Sequence, residues 1–88
     1  MTDSITQQSL FTTADLSLAA TLSLWYPLDS IDQTNPQKSY FNFKRDEQLD
    51  QFIEQYWRGE IRIEPKAYFS ALRELKVRLH ENRFSEGR

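Results

Sequence analysis

Residues 46–59 read Asp46-Glu47-Gln48-Leu49-Asp50-Gln51-Phe52-Ile53-Glu54-Gln55-Tyr56-Trp57-Arg58-Gly59. Leu49, Phe52, Ile53, Tyr56 and Trp57 recur at i, i+3, i+4, i+7 and i+8, which is one face of an α-helix. Asp46 supplies a side-chain oxygen for the free N–H groups at the helix start. Glu47 and Asp50 suit the positive end of the helix dipole, and Arg58 suits the negative end. Gly59 suits the left-handed residue that closes such a helix. The stretch therefore specifies a helix of about three turns with an aromatic side that needs a partner layer.

Moving toward the C-terminus, Ile61 and Ile63 are β-branched and two apart, so 60–63 is expected to be a short strand or an extended connector. Pro65 fits the first position of a third helix, where its missing N–H costs nothing. The expected core stripe is Tyr68, Ala71 or Leu72, Leu75 and Leu79. Residues 84–88 read as a loose tail.

Moving toward the N-terminus, Ser39 to Lys44 alternates as a strand does, with Phe41 and Phe43 on one side and Tyr40, Asn42 and Lys44 on the other. Asp32-Gln33-Thr34-Asn35-Pro36-Gln37 is turn chemistry. With Leu28 to Ile31 as the preceding strand, the segment reads as a β-hairpin. Further back, Thr12 is expected to cap a first helix over 14–25, with Asp15 completing a capping-box-like start. Pro27 stops it. Leu18, Leu22 and Trp25 form its stripe, and Ser9 to Phe11 is expected as a short edge strand. The order is β-α-β-β-α-(β)-α. A small sheet must cover its apolar face. The expected fold is α+β, a small antiparallel sheet packed on two or three helices. It is expected as a single domain over 9–84, with flexible tails at 1–8 and 85–88.

Composition narrows the chemistry. Eighty-eight residues suit one domain, and a chain this short buries only about 60–65% of its unfolded surface. Six Phe, four Tyr and two Trp compensate, since each such ring buries roughly 150–250 Å². Without cysteine there is no disulfide framework, zinc–thiolate site or thiol nucleophile. That absence agrees with a cytoplasmic location. The apolar stretch from Leu16 to Trp25 is too short and too rich in Ser and Thr to span a membrane. Only Gly59 and Gly87 occur, so no glycine-rich phosphate loop can form. Single His80 cannot build a histidine metal cluster. Asp29, Asp32, Asp46, Glu47 and Asp50 could meet a hard cation, but turn and helix-start acids are expected for capping and dipole reasons alone. No catalytic residue, metal ligand, cofactor or small-molecule substrate is expected, and the chain reads as non-enzymatic.

Net charge is −2, yet the distribution is uneven. Residues 1–44 hold two basic side chains, Lys38 and Lys44, whereas 45–88 hold nine against nine acids. Arg73, Lys76, His80 and Arg83 are spaced by 3, 4 and 3, so they line one flank of the last helix. Arg62 and Lys66 extend it. Such a flank could neutralise phosphates. The plainer alternative is a solvated face balanced by Glu74 and Glu81 through helical ion pairs. Trp25, Tyr26, Tyr40 and Trp57 are the other candidates. Large aromatics exposed together would anchor a protein interface, though they could equally fill the core.

Several of these residues carry a resemblance. Phe11-Thr12-Thr13-Ala14-Asp15-Leu16-Ser17-Leu18-Ala19-Ala20, then Asn35-Pro36, Phe41-Asn42-Phe43, Tyr56-Trp57-Arg58-Gly59, Phe69 and Leu75-Lys76-Val77-Arg78 follow one pattern. It resembles a family of small bacterial and phage proteins catalogued as domain of unknown function family 5659. The resemblance spans roughly residues 10–79 and rests on core and turn positions, so it speaks to fold. Many relatives carry a glycine after the first helix, where this chain has Trp25-Tyr26-Pro27. The resemblance implies no activity, and its mobile-element and phage setting points toward a nucleic-acid-handling system. The expectation is a non-enzymatic binding or adaptor domain that recognises a protein partner or itself. Direct, mostly non-specific nucleic-acid binding through the last helix is the alternative.

Overall fold

The computed structural model describes the backbone of residues 9–86 and side chains through Glu81. The expected tail at 1–8, and residues 87–88 of the one expected at 85–88, lie outside the described residues. Six elements follow in the order β1 (Leu10–Thr13), α1 (Leu16–Ser23), β2 (Ser30–Asp32), β3 (Tyr40–Lys44), α2 (Glu47–Trp57) and α3 (Pro65–Glu86). The strands form one antiparallel sheet in the order β1-β3-β2. The fold is therefore α+β with a small antiparallel sheet and three helices.

Register assigns the two faces of the sheet. Phe11 lies opposite Phe43, and Thr13 and Ile31 both lie opposite Phe41. Those residues share the inner face, where Phe41 and Phe43 are buried. Thr12 and Ser30 flank Asn42 on the outer face. There the Thr12 hydroxyl donates to Asn42 Oδ1 at 2.7 Å, and Asn42 Nδ2 donates to Ser30 Oγ at 3.1 Å. This cross-strand chain of small polar groups gives the uncovered face hydrogen-bonded partners where apolar side chains would meet water.

Helix α1 is the hub. Leu18, Ala19, Ala20, Thr21 and Leu22 are all buried, more than one face of a helix can supply. A helix apolar around its whole circumference must be enclosed. Phe41 and Phe43 from the sheet, Leu49 from α2, and Ala71 and Leu75 from α3 complete the core. The small side chains of Ala19 and Ala20 leave room for those neighbours to approach. Thr21 is satisfied within the helix, its hydroxyl donating to the Ser17 carbonyl at 2.9 Å.

The local signals hold at α2 and at the start of α3 and differ at α1. Asp46 caps α2 by accepting the Leu49 N–H at 2.8 Å. Gly59 takes φ of 75°, the left-handed value that closes the helix. Pro65 opens α3, and Glu64 caps it with Oε1 on the Ala67 N–H at 3.0 Å. The first helix differs from expectation. Its cap is Asp15, which accepts the N–H groups of Ser17 and Leu18 at 3.0 and 3.2 Å. Thr12 belongs instead to β1, because pairing with β3 continues through Thr13. Helix α1 also stops at Ser23 rather than Trp25, with Leu24 at its end. Residues 60–64 form an extended connector without strand pairing, Ile61 and Ile63 half-buried and their neighbours exposed. Helix α3 continues to Glu86, so residues 84–86 are helical rather than tail.

A candidate recognition face on helix α3

Four of the five acidic candidates have a local structural partner. Asp46 caps α2, as above. Asp50 forms an ion pair with Arg45 at 3.0 Å. Asp32 accepts the N–H and hydroxyl of Thr34 at 3.0 and 2.8 Å. Those two donors hold its carboxyl below the usual range. Asp29 accepts a hydrogen bond from Ser30 Oγ at 3.3 Å. Glu47 is exposed in the first turn of α2. Among the described residues no cluster of three or more His, Cys, Asp or Glu could hold a metal ion.

The four aromatic candidates occupy three separate places. Trp25 and Tyr26 follow α1 and share Phe52 as a ring neighbour, at 5.0 and 5.7 Å. Tyr26 is half-buried, while Trp25 remains 51% exposed. Trp57 ends α2, 64% exposed, with its ring edge-on to Tyr56 at 5.0 Å. The Tyr56 hydroxyl lies 2.6 Å from that of Ser17 at the start of α1. That contact places Trp57 toward the other end of the hub helix from Trp25. Tyr40 is half-buried on the outer face of the sheet, opposite Asp32. These residues do not form one patch.

The basic flank does converge. Arg73, Lys76 and His80 are exposed on α3, as is Lys66. Arg62 is exposed on the preceding connector. The Arg83 side chain lies outside the described residues. Taking 3.6 residues per turn, Lys66, Phe69, Arg73, Lys76, Val77 and His80 fall within an arc of about 100°. Ala71, Leu75, Tyr68 and Leu79 occupy the opposite side and pack on the core. Glu74 and Glu81 fall outside the basic arc.

This arc contains residues that sequence reading did not single out. Phe69 is 60% exposed and Val77 48% exposed. Phe69, Leu72, Arg73 and Lys76 line a shallow open depression of about 240 Å³. Phe69 lies next to the core residue Tyr68, with ring centroids 6.0 Å apart. The signal was the tyrosine–phenylalanine pair itself. Adjacent residues on a helix point about 100° apart, so only one of the two can sit at the centre of the core stripe. Neither described ion pair, Arg45–Asp50 or Arg58–Glu60, engages Lys66, Arg73 or Lys76.

Two larger concavities are chemically different. One of about 400 Å³ lies where the end of α1 meets α3, with Leu24, Leu28, Ala71 and Leu75 among its walls and Glu74 and Arg78 of opposite sign. The other, about 420 Å³, is bounded by Tyr26, Pro27, Leu28, Asp29, Lys44 and Asp46. Asp46 is committed there to capping α2.

The fold and its surface define a small α+β domain built from a three-stranded antiparallel sheet and three helices, with its distinctive chemistry on a helix face. The chain belongs to the family described as a domain of unknown function, DUF5659, which matches residues 8–81. No curated protein and no solved structure matches it. Among the described residues, no helix is long and apolar enough to cross a membrane.

Proposed function

We propose that this chain is a non-enzymatic binding domain that docks an acidic protein surface on the outer face of α3. The observation behind this reading is the co-location of exposed Phe69 and Val77 with Lys66, Arg73 and Lys76. Phe69 lines one shallow depression with half-buried Leu72, Arg73 and Lys76, and exposed Val77 lies about two turns further along, which gives a partner apolar surface to bury. The surrounding cations favour an acidic rim on that partner and speed its encounter. A cysteine-free chain suits a reducing compartment such as the cytoplasm. The family resemblance suggests an adaptor within a nucleic-acid-handling system of a mobile element.

The second reading is direct nucleic-acid binding by the same face. Arg73, Lys76 and His80 in line could follow a phosphate backbone while Phe69 stacks on a base. The net charge of −2 weighs against it.

Fluorescence anisotropy decides between them. The probes are a designed acidic amphipathic helical peptide, single-stranded DNA, duplex DNA and RNA, each at low and moderate salt. The protein-docking reading expects saturable peptide binding that Phe69→Ala weakens at least tenfold. Nucleic-acid binding that falls steeply with salt, without peptide binding, would replace it with the second reading. No binding of any probe would remove α3 as a recognition face.

A further inference from the structure

We propose that the partner of the α3 face is a second copy of this chain, contributing the outer face of α2. This inference rests on α3 being the recognition face and names what occupies it. The outer surface of α2 is the chemical complement of α3. Trp57, the most exposed large apolar residue among those described, lies in one arc of about 80° with Asp50, Glu54 and Glu47. Glu47 and Glu54 are exposed, and neither described ion pair engages them.

The spacing matches as well as the charge. Residues 47, 50, 54 and 57 are separated by 3, 4 and 3, as are 66, 69, 73 and 76. Both sets span about 15 Å of helix. Laid antiparallel across two molecules, Glu47 meets Lys76 and Asp50 meets Arg73. Trp57 then falls opposite Lys66, which sets a cation over its ring, and Glu54 falls opposite Phe69, between Lys66 and Arg73. Antiparallel alignment also sets the two helix dipoles in opposition. Asp50 already holds Arg45, so Arg73 would join an existing ion pair.

A contact of one helix face with another is smaller than a standard stable interface. The association is therefore weak, concentration-dependent and sensitive to salt. It joins unlike faces, so each copy uses both a donor and an acceptor surface.

Analytical ultracentrifugation of the full chain tests this over roughly 10–500 µM, a range suited to a small, weak interface. Association is expected to rise through that range and to fall at least tenfold in 0.5 M salt, where the Debye length shrinks to about 4 Å. Arg73→Glu with Lys76→Glu should leave the chain monomeric, as should Glu47→Lys with Glu54→Lys. Mixing these two monomeric variants should restore association, because each keeps the face the other has reversed into its complement. Circular dichroism checks that both variants remain folded. Trp57→Ala, which leaves all charges in place, should weaken association independently. A chain monomeric throughout, an association indifferent to these reversals, or a mixture that stays monomeric would each overturn the inference. If self-association is absent while the acidic peptide still binds α3, only this inference fails. Loss of peptide binding as well removes the reading beneath it.

Discussion

Helices α1 and α3 solve opposite problems. Helix α1 is eight residues long, and none of them is charged. Five consecutive residues are buried because the sheet, α2 and α3 all pack around it. A segment so short would not be helical alone in water, so its helicity is supplied by its surroundings. Helix α3 runs for twenty-two residues, yet its buried described residues are Ala71 and Leu75. It meets the core along one side and leaves the other to solvent. In α1 nearly every side chain is constrained by packing. In α3 the outer half carries residues that the fold does not need, and the exposed Phe69 sits there among cations.

The sharpest way to break this contrast is to truncate each helix. Leu22→Ala in α1 should cost about 2–5 kcal/mol, since it empties an enclosed site. Leu72→Ala in α3 should cost about 1 kcal/mol, because that side chain is only half-buried and water already reaches it. Phe69→Ala should change stability by less than about 0.5 kcal/mol while reducing peptide binding. Urea denaturation gives all three values. Comparable losses at Leu22 and Phe69 would mean that α3 is no freer than α1.

Enlarging a residue probes the same enclosure from inside. Ala20→Leu should destabilise by about 1–3 kcal/mol, because the site has no room for additional carbons. The same substitution at exposed Ser70 on α3 should be nearly neutral. A neutral Ala20→Leu would show that α1 is loosely held.

These two helices also show what the sequence could and could not express. The caps at Asp46 and the ends at Gly59 and Pro65 are local chemistry, and each was legible from a few neighbouring residues. The inward direction of Phe41 and Phe43 followed from strand alternation. The start of α1 was not legible. Thr12 and Asp15 are both capable caps, and the choice is made by β3, some thirty residues away, which draws Thr12 into the sheet. Trp25 and Trp57 sit at the ends of apolar stripes, where coverage depends on how far a neighbouring element reaches. Stripe membership alone therefore could not assign their burial. The basic positions on α3 were readable from spacing, and placing Tyr68 in the core stripe already turned Phe69 outward; what spacing did not give is how much of that outer side the other elements leave uncovered.

Contacts at the edge of the core should give smaller effects. Ser17→Ala removes the hydroxyl that meets Tyr56, the hydrogen bond joining the start of α1 to the end of α2. A loss of about 1 kcal/mol is expected, near the usual net value of one hydrogen bond. Tyr56→Phe should lose a similar amount. The double variant should cost less than the two losses summed, because both remove one interaction. Strict additivity would mean that the two hydroxyls do not meet in solution, and the hub would then be held by packing alone.

The smallest effect belongs to the hairpin, outside both helices, and shows how far the enclosed region extends. Asp32 is exposed, and hydrogen bonds from the Thr34 N–H and hydroxyl favour its ionised form. The folded chain therefore releases this proton at lower pH than the unfolded chain does. The resulting stabilisation is complete above the ordinary carboxylate range and disappears as pH falls through the depressed folded value. Carboxyl chemical shifts in a pH titration should place the Asp32 midpoint below that of a model peptide. The stability gap between wild type and Asp32→Ala should narrow as pH drops from 6 through the depressed folded value. A gap that widened on acidification would reverse the sign and show that the turn holds the protonated form. Confinement of the change to the hairpin, with α1 amide exchange unaltered, would mark the boundary between the enclosed hub and the locally held surface around it.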